Sequence, residues 1–134
     1  MTQNDKDLLL KDLCARLLYG VKVAFFNEDL THHSEPKTLI GIECINNLNY
    51  SRLEDEDGNT TIVEFVKPYL FPLSSMTEEQ KKELRTFDSL DAESTMSLGE
   101  WAIQLVDFYN KYHLDYRGLI PMGLANDATG LNIY

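Results

Sequence analysis

The sequence lacks the short motifs that mark most enzyme and cofactor sites. It contains no Gly-x-x-x-x-Gly-Lys-Ser/Thr phosphate loop, no glycine-rich dinucleotide fingerprint, no Gly-x-Ser-x-Gly nucleophile elbow, and neither CxxC nor HExxH. Nucleotide hydrolases, dehydrogenases, serine hydrolases and the common zinc proteins place their reactive groups at these spacings. We therefore predict no catalytic residue, no metal and no cofactor, and a cryptic enzyme is the least favoured class.

Long apolar runs and cysteines are also scarce. No apolar stretch approaches the ~18 residues that a membrane-spanning helix needs, so we expect no membrane association. The first seven residues are polar and acidic, unlike a secretory signal. The two cysteines, Cys14 and Cys44, each lie among apolar residues, which predicts buried, reduced thiols rather than a disulfide. These features together predict a cytoplasmic protein.

Basic residues are in short supply relative to acidic ones. The chain has 12 Lys plus Arg against 22 Asp plus Glu, a formal net charge of −10. Such a charge repels polyanions, so we expect no direct binding to nucleic acid. The acids are spread along the chain rather than set in one dense stripe, which favours a solvated surface. An acidic surface that docks on a basic protein is the alternative.

The residues that are present predict an α+β fold in a single domain, residues 1–134. Leucines at three- and four-residue spacing predict a helix over residues 5–18, and β-branched and aromatic residues predict an antiparallel sheet over residues 21–66. Two capping boxes predict two helices in a C-terminal helical part, residues 77–125. The sheet is of the scale of an SH3-like barrel, so we expect it either to curl into a partial barrel or to pack on a helix.

Two further expectations concern packing. Pro68 and Pro72 cannot donate hydrogen bonds to a strand ladder, which predicts an extended segment at a sheet edge over residues 67–73. The helix that follows the second capping box carries a stripe of large apolar residues, so we expect Trp101 to be buried. The stripe consists of Leu98, Trp101, Leu105, Phe108 and Tyr112.

The segment from Asp115 to Ala125 is the most informative candidate site. It places an acid, a phenol and a guanidinium in consecutive positions, followed by an apolar run broken by two glycines and a proline. In a structural interpretation, Asp115 caps a turn and Arg117 pairs with an acid. In a functional interpretation, Arg117 donates two parallel hydrogen bonds to a phosphate or carboxylate, while Tyr116 or Tyr69 stacks on a flat ring. The candidate ligand-binding residues are therefore Asp115, Tyr116, Arg117 and Tyr69, and the ligand would be nucleotide-like.

Six segments carry a resemblance to a known family. They are Lys11–Leu17, Tyr19–Val23, Lys67–Leu70, Pro72–Glu79, Asp115–Ile120 and Gly123–Ala125. In these segments the chain resembles a group of small uncharacterised proteins found in gut Bacteroidetes genomes, their mobile elements and their phages. The resemblance implies a setting rather than an activity: a bacterial or phage gene, often mobile, connected with phage–host conflict.

These observations predict a non-enzymatic binding protein of phage or mobile-element origin, acting in the bacterial cytoplasm. The first expected mechanism is counter-defence by sequestration of a small nucleotide-like signal, within a homo-oligomer. The alternative is an acidic interaction module or inhibitor that blocks a host protein.

Overall fold

The computed structural model describes residues 1–45, 50–88 and 97–134. It has an α+β architecture, with an N-terminal helix, a six-stranded sheet and two further helices. The predicted fold class and the order of the helices around the sheet are confirmed.

Helix α1 spans Gln3–Arg16, close to the predicted 5–18. It begins at Thr2, whose hydroxyl accepts from the backbone N–H of Asp5 while the Asp5 carboxylate accepts from the N–H of Thr2. This reciprocal capping satisfies two amides that a helix start otherwise leaves unpaired. A short 3-10 turn, Leu17–Tyr19, continues the helix to Gly20, which ends it with a φ of 70°.

The sheet is open and mostly antiparallel. Its strands are β1 Lys22–Phe25, β2 Lys37–Ile45, β3 Tyr50–Asp55, β4 Thr60–Thr61, β5 Val66–Leu70 and β6 Asn126–Asp127. Their spatial order is β4-β3-β2-β1-β5-β6, and only the β5–β6 pair is parallel. The sheet does not close into a barrel, so of the two predicted arrangements the structure has the one in which a sheet face packs on a helix.

The structure corrects the predicted position of the proline segment. Strand β5 lies inside the sheet between β1 and β6, not at an edge. In an antiparallel ladder, hydrogen-bonded residue pairs alternate with pairs that share no hydrogen bond. The Phe26 N–H donates to the Phe65 carbonyl at 2.8 Å, so Phe26 and Phe65 form a hydrogen-bonded pair. Counting along the ladder from there, Val23 and Pro68 form a pair that shares no hydrogen bond. Pro68 therefore has no missing backbone hydrogen bond to β1. On the other side of β5, strand β6 pairs only with Tyr69 and Leu70, which follow Pro68.

The C-terminal helical part is shorter than predicted. Helix α2 spans Glu78–Asp88 and helix α3 spans Leu98–Lys111, whereas residues 112–125 form turns. The chain then returns to the sheet as β6. That strand is two residues long and is held by backbone pairing, so it has no alternating apolar pattern from which it could be predicted.

The main core lies between α1 and one face of the sheet. It includes Leu9, Leu10, Leu13, Val21, Val23, Leu39, Leu53, Val66, Leu70, Leu119 and Leu124. Ala24 and Tyr69 alternate with core residues along their strands and so point to the opposite face. There they form a second, smaller cluster with Ala128.

Burial of the cysteines was predicted wrongly, because both thiols are exposed. Cys14 lies beside the buried leucine stripe of α1 rather than on it. Although Cys14 is exposed, the protein atoms around it partly desolvate its sulfur, and this desolvation, with a smaller contribution from Cys44, raises the pKa of the Cys14 thiol.

The aromatic stripe of α3 is buried mainly at its C-terminal end. Phe108 is buried, whereas Trp101 is only half-buried and Ile103 is exposed. We therefore expect Phe108→Ala to lower the free energy of unfolding by about 3–5 kcal/mol and Trp101→Ala to lower it by less. Ile103→Ala, on the same helix, should change it by no more than about 0.5 kcal/mol. Urea unfolding monitored by circular dichroism measures all three, and equal losses for Phe108 and Ile103 would contradict this packing.

Candidate functional site

A buried ion pair lies at the end of α1. The Arg16 guanidinium donates to the Asp12 carboxylate through Nε at 2.8 Å and through Nη2 at 3.1 Å, and Nη2 also donates to the Leu114 carbonyl at 2.6 Å. Both side chains are fully inaccessible to solvent. Burial raises the pKa of Asp12, while Arg16 and Arg117 act in the opposite direction. The pair therefore fixes the turn that contains Leu114 against the helix.

Arg117 extends this network towards the surface. Its Nε lies 3.4 Å from Asp12 Oδ1, and its side chain is 29% exposed. Its guanidinium carbon is 5.1 Å from the centroid of the Tyr116 ring, and that of Arg16 is 5.2 Å from the same centroid. Tyr116 also stacks on Tyr109, with centroids 5.3 Å apart. The Tyr116 ring is thus already in contact with three neighbours.

Asp115 has a structural role. It is buried, and its two carboxylate oxygens accept from the backbone N–H groups of Leu119 at 2.7 Å and Ile120 at 2.9 Å. Its own N–H donates to the Phe71 carbonyl at 2.8 Å. Asp115 therefore shapes the turn and sets the direction in which Arg117 leaves it.

The structure brings together three of the four predicted site residues. Arg117 contacts Asp12, Asp115 acts on the pKa of Asp12, and the Tyr116 ring lies beside Arg16 and Arg117. The Tyr69 side chain lies elsewhere, in the second cluster with Ala24 and Ala128. Both structural roles expected of Asp115 and Arg117 are present. The ligand-binding role of Arg117 stays a prediction.

A cleft of about 380 Å³ opens beside this network. We call it the Arg117 cleft; it is lined by Leu10, Lys11, Cys14 and Arg117. Two of these residues are cationic and none is acidic, although the chain as a whole carries a net charge of −10. Cys14 is exposed and supplies apolar surface, whereas Leu10 is buried at the base of the cleft. The cleft is therefore suited to a small ligand that combines an anionic group with an apolar or planar part.

Sequence reasoning missed the α1 contributors, Lys11, Asp12 and Arg16. The spacing of Asp12 and Arg16 is that of an i, i+4 helical ion pair, which was a readable signal. Such pairs are usually solvated, whereas this one is buried and hydrogen-bonded to the distant Leu114 carbonyl.

No protein-family model, no curated protein and no solved structure matches this chain. Within the described residues, no group of three or more His, Cys, Asp or Glu side chains is placed to hold a metal ion. In the same part of the chain, no helix is both long and apolar enough to cross a bilayer.

His113 lies next to this network and is the group whose pKa is most clearly lowered. It is buried, its φ is 56°, and its Nδ1 has no hydrogen-bond partner in the described structure. Burial, reinforced by the charges of Arg16 and Lys22, lowers the pKa of His113 from 6.5 to about 4. At pH values between 6.5 and about 4, His113 is protonated more in the unfolded chain than in the folded protein. The folded protein therefore loses stability as the pH falls through this range.

We therefore expect the melting temperature to fall as the pH drops from 6.5 towards 4, and to fall less steeply in His113→Asn. Asparagine tolerates the positive φ of this position and does not titrate. The carboxylates of the protein should affect the pH dependence of the melting temperature equally in both proteins, so the difference between them reports His113. Differential scanning fluorimetry across this pH range gives the comparison. Parallel profiles for the two proteins would show that His113 does not titrate with a lowered pKa.

Proposed function

We propose that this protein is a non-enzymatic binding protein that takes a small nucleotide-like anion into the Arg117 cleft. The observation that carries the proposal is that two cationic residues, Lys11 and Arg117, line a cleft in a strongly acidic chain. The carboxylate of Asp12, behind the cleft, contacts both Arg16 and Arg117.

The volume and composition of the cleft limit the ligand. About 380 Å³ lies within the range of small-molecule sites and suits a single nucleotide rather than a longer chain. Arg117 would bind the phosphate through its planar fork, with Lys11 as a second point charge. Because the Tyr116 ring already contacts Tyr109 and two guanidinium groups, the base would pack on the exposed Cys14 instead.

The biological setting is part of the proposal. Sequestration of a nucleotide signal would oppose a host defence that depends on that signal, as the resemblance to phage and mobile-element proteins implies. Binding without turnover suits this role, because the site needs only to hold the ligand. A cytoplasmic location and a homo-oligomer belong to the same proposal.

Arg117→Lys tests the proposal. Lysine keeps the charge but cannot form two parallel hydrogen bonds, so the loss of a charged hydrogen bond of roughly 1.5–3 kcal/mol should weaken binding about 10- to 150-fold. Calorimetric titration with ribonucleoside 5′-monophosphates measures this, after native mass spectrometry of the purified protein for bound ligand. Lys81→Gln removes an exposed charge on α2 and should bind like the parent. Parental affinity of folded Arg117→Lys, or no binding by the parent, would overturn the proposal.

The second candidate, an interaction module, is supported by the exposed apolar residues of α3. Leu98, Ile103 and Val106 are exposed, and the acids Glu100 and Asp107 lie on the same helix. A basic partner would fit this surface. Such a partner should be retained from bacterial lysate by the parent, released by salt and lost with Ile103→Asp. Equal retention by both proteins would exclude α3 as the contact surface.

A further inference from the structure

The side chain of Tyr134 lies where strands β1 and β5 separate. The β1–β5 ladder ends where Val23 lies opposite Pro68, a pair that shares no hydrogen bond. Because the two kinds of pair alternate, Lys22 and Tyr69 would form the next hydrogen-bonded pair. The Tyr134 hydroxyl lies between these two residues instead. It accepts from the Lys22 N–H at 2.8 Å and donates to the Tyr69 carbonyl at 2.7 Å. One phenol thus replaces a direct bond between the two strands.

The ring of Tyr134 also contacts its neighbours, although the residue as a whole is 43% exposed. It stacks on the His113 imidazole with centroids 3.7 Å apart and planes inclined by 14°. The Phe71 ring flanks it at 5.8 Å. We call this space, lined by Lys22, Tyr69, Phe71 and His113, the Tyr134 recess.

The segment that brings Tyr134 to the recess makes few buried contacts of its own. The N–H of Ala128 donates to the Leu70 carbonyl at 2.8 Å, which ties the chain to β5. Residues 129–132 are exposed, and Asn132 has a φ of 52°. The tail is therefore anchored at Ala128 and again at the Tyr134 side chain, with an exposed stretch between the two anchors.

We propose that the Tyr134 recess is a recognition site for a p-hydroxyphenyl group, filled in cis by Tyr134 and able to take the same group from a free phenol when that side chain is absent. The recess supplies a backbone donor, a backbone acceptor and an aromatic platform. Only a hydroxyl that both donates and accepts satisfies the first two. A ring without a hydroxyl makes neither of these hydrogen bonds, and an aryl ether cannot donate to the Tyr69 carbonyl.

This inference does not depend on the proposed function. It concerns side chains and backbone groups that do not line the Arg117 cleft, and its ligand is a neutral phenol rather than an anion. A nucleotide should not compete with a phenol at the recess.

The test is rescue of Tyr134→Ala by p-cresol. The substitution removes the ring and hydroxyl, and p-cresol restores both without the tether. At about ten times its Kd, p-cresol should raise the melting temperature of Tyr134→Ala by roughly 4 °C. Toluene and 4-methylanisole should raise it much less. The parent should not respond, because its tethered side chain holds the recess at a high effective concentration.

Leu131→Ala is the matched control, because it shortens an exposed side chain of the same tail and should behave like the parent. If Tyr134→Ala does not fold alone, recovery of its folded circular dichroism spectrum by p-cresol and not by toluene is the supporting result. Equal responses to p-cresol and toluene, or no response to p-cresol in either measurement, would overturn the proposal.

Discussion

Arg16 brings a full positive charge into the interior, where Asp12 binds it through two nitrogens and the Leu114 carbonyl accepts a third hydrogen bond. Removal of one partner from a buried pair of this kind leaves an uncompensated charge and costs about 3–5 kcal/mol. The pair joins the last turn of α1 to the segment that follows α3, which are far apart in sequence. It therefore determines where the Asp115 turn lies and where the Arg117 cleft forms.

The two proposed sites both adjoin this pair. Arg117 contacts Asp12 and continues the network to the surface of the cleft. His113 precedes Leu114 directly and forms the platform for Tyr134. A neutral imidazole suits that position, because a second cation beside Arg16 would be repelled. Burial, and then the charge of Arg16, lowers the pKa of His113.

In the proposed function, the charge distribution would give the Arg117 cleft its selectivity. The chain carries ten more formal negative than positive charges, so most of its surface repels anions. A local excess of positive charge must then act at short range, through direct contact with Lys11 and Arg117, rather than by long-range attraction. This arrangement favours a small anion that fits inside the cleft over an extended polyanion.

The sequence by itself determined the local features of this protein. The leucine spacing predicted α1, and the capping boxes predicted the starts of α2 and α3. The turn between β3 and β4 is also held by local contacts. There the Asp55 carboxylate accepts from the N–H groups of Asp57 and Asn59. Each of these signals acts over a few residues, so the chain carries it without reference to the rest of the fold.

Only the tertiary structure decided how distant segments meet. The position of β5 inside the sheet, the return of the chain as β6, the exposure of Cys14 and the burial of Arg16 all depend on long-range packing. The candidate site divides in the same way: the sequence placed Asp115, Tyr116 and Arg117 side by side, but it could not show that Asp12 and Lys11 join them. Contacts between segments about a hundred residues apart arise from the packing of α1 on the sheet, and no periodicity within either segment encodes them.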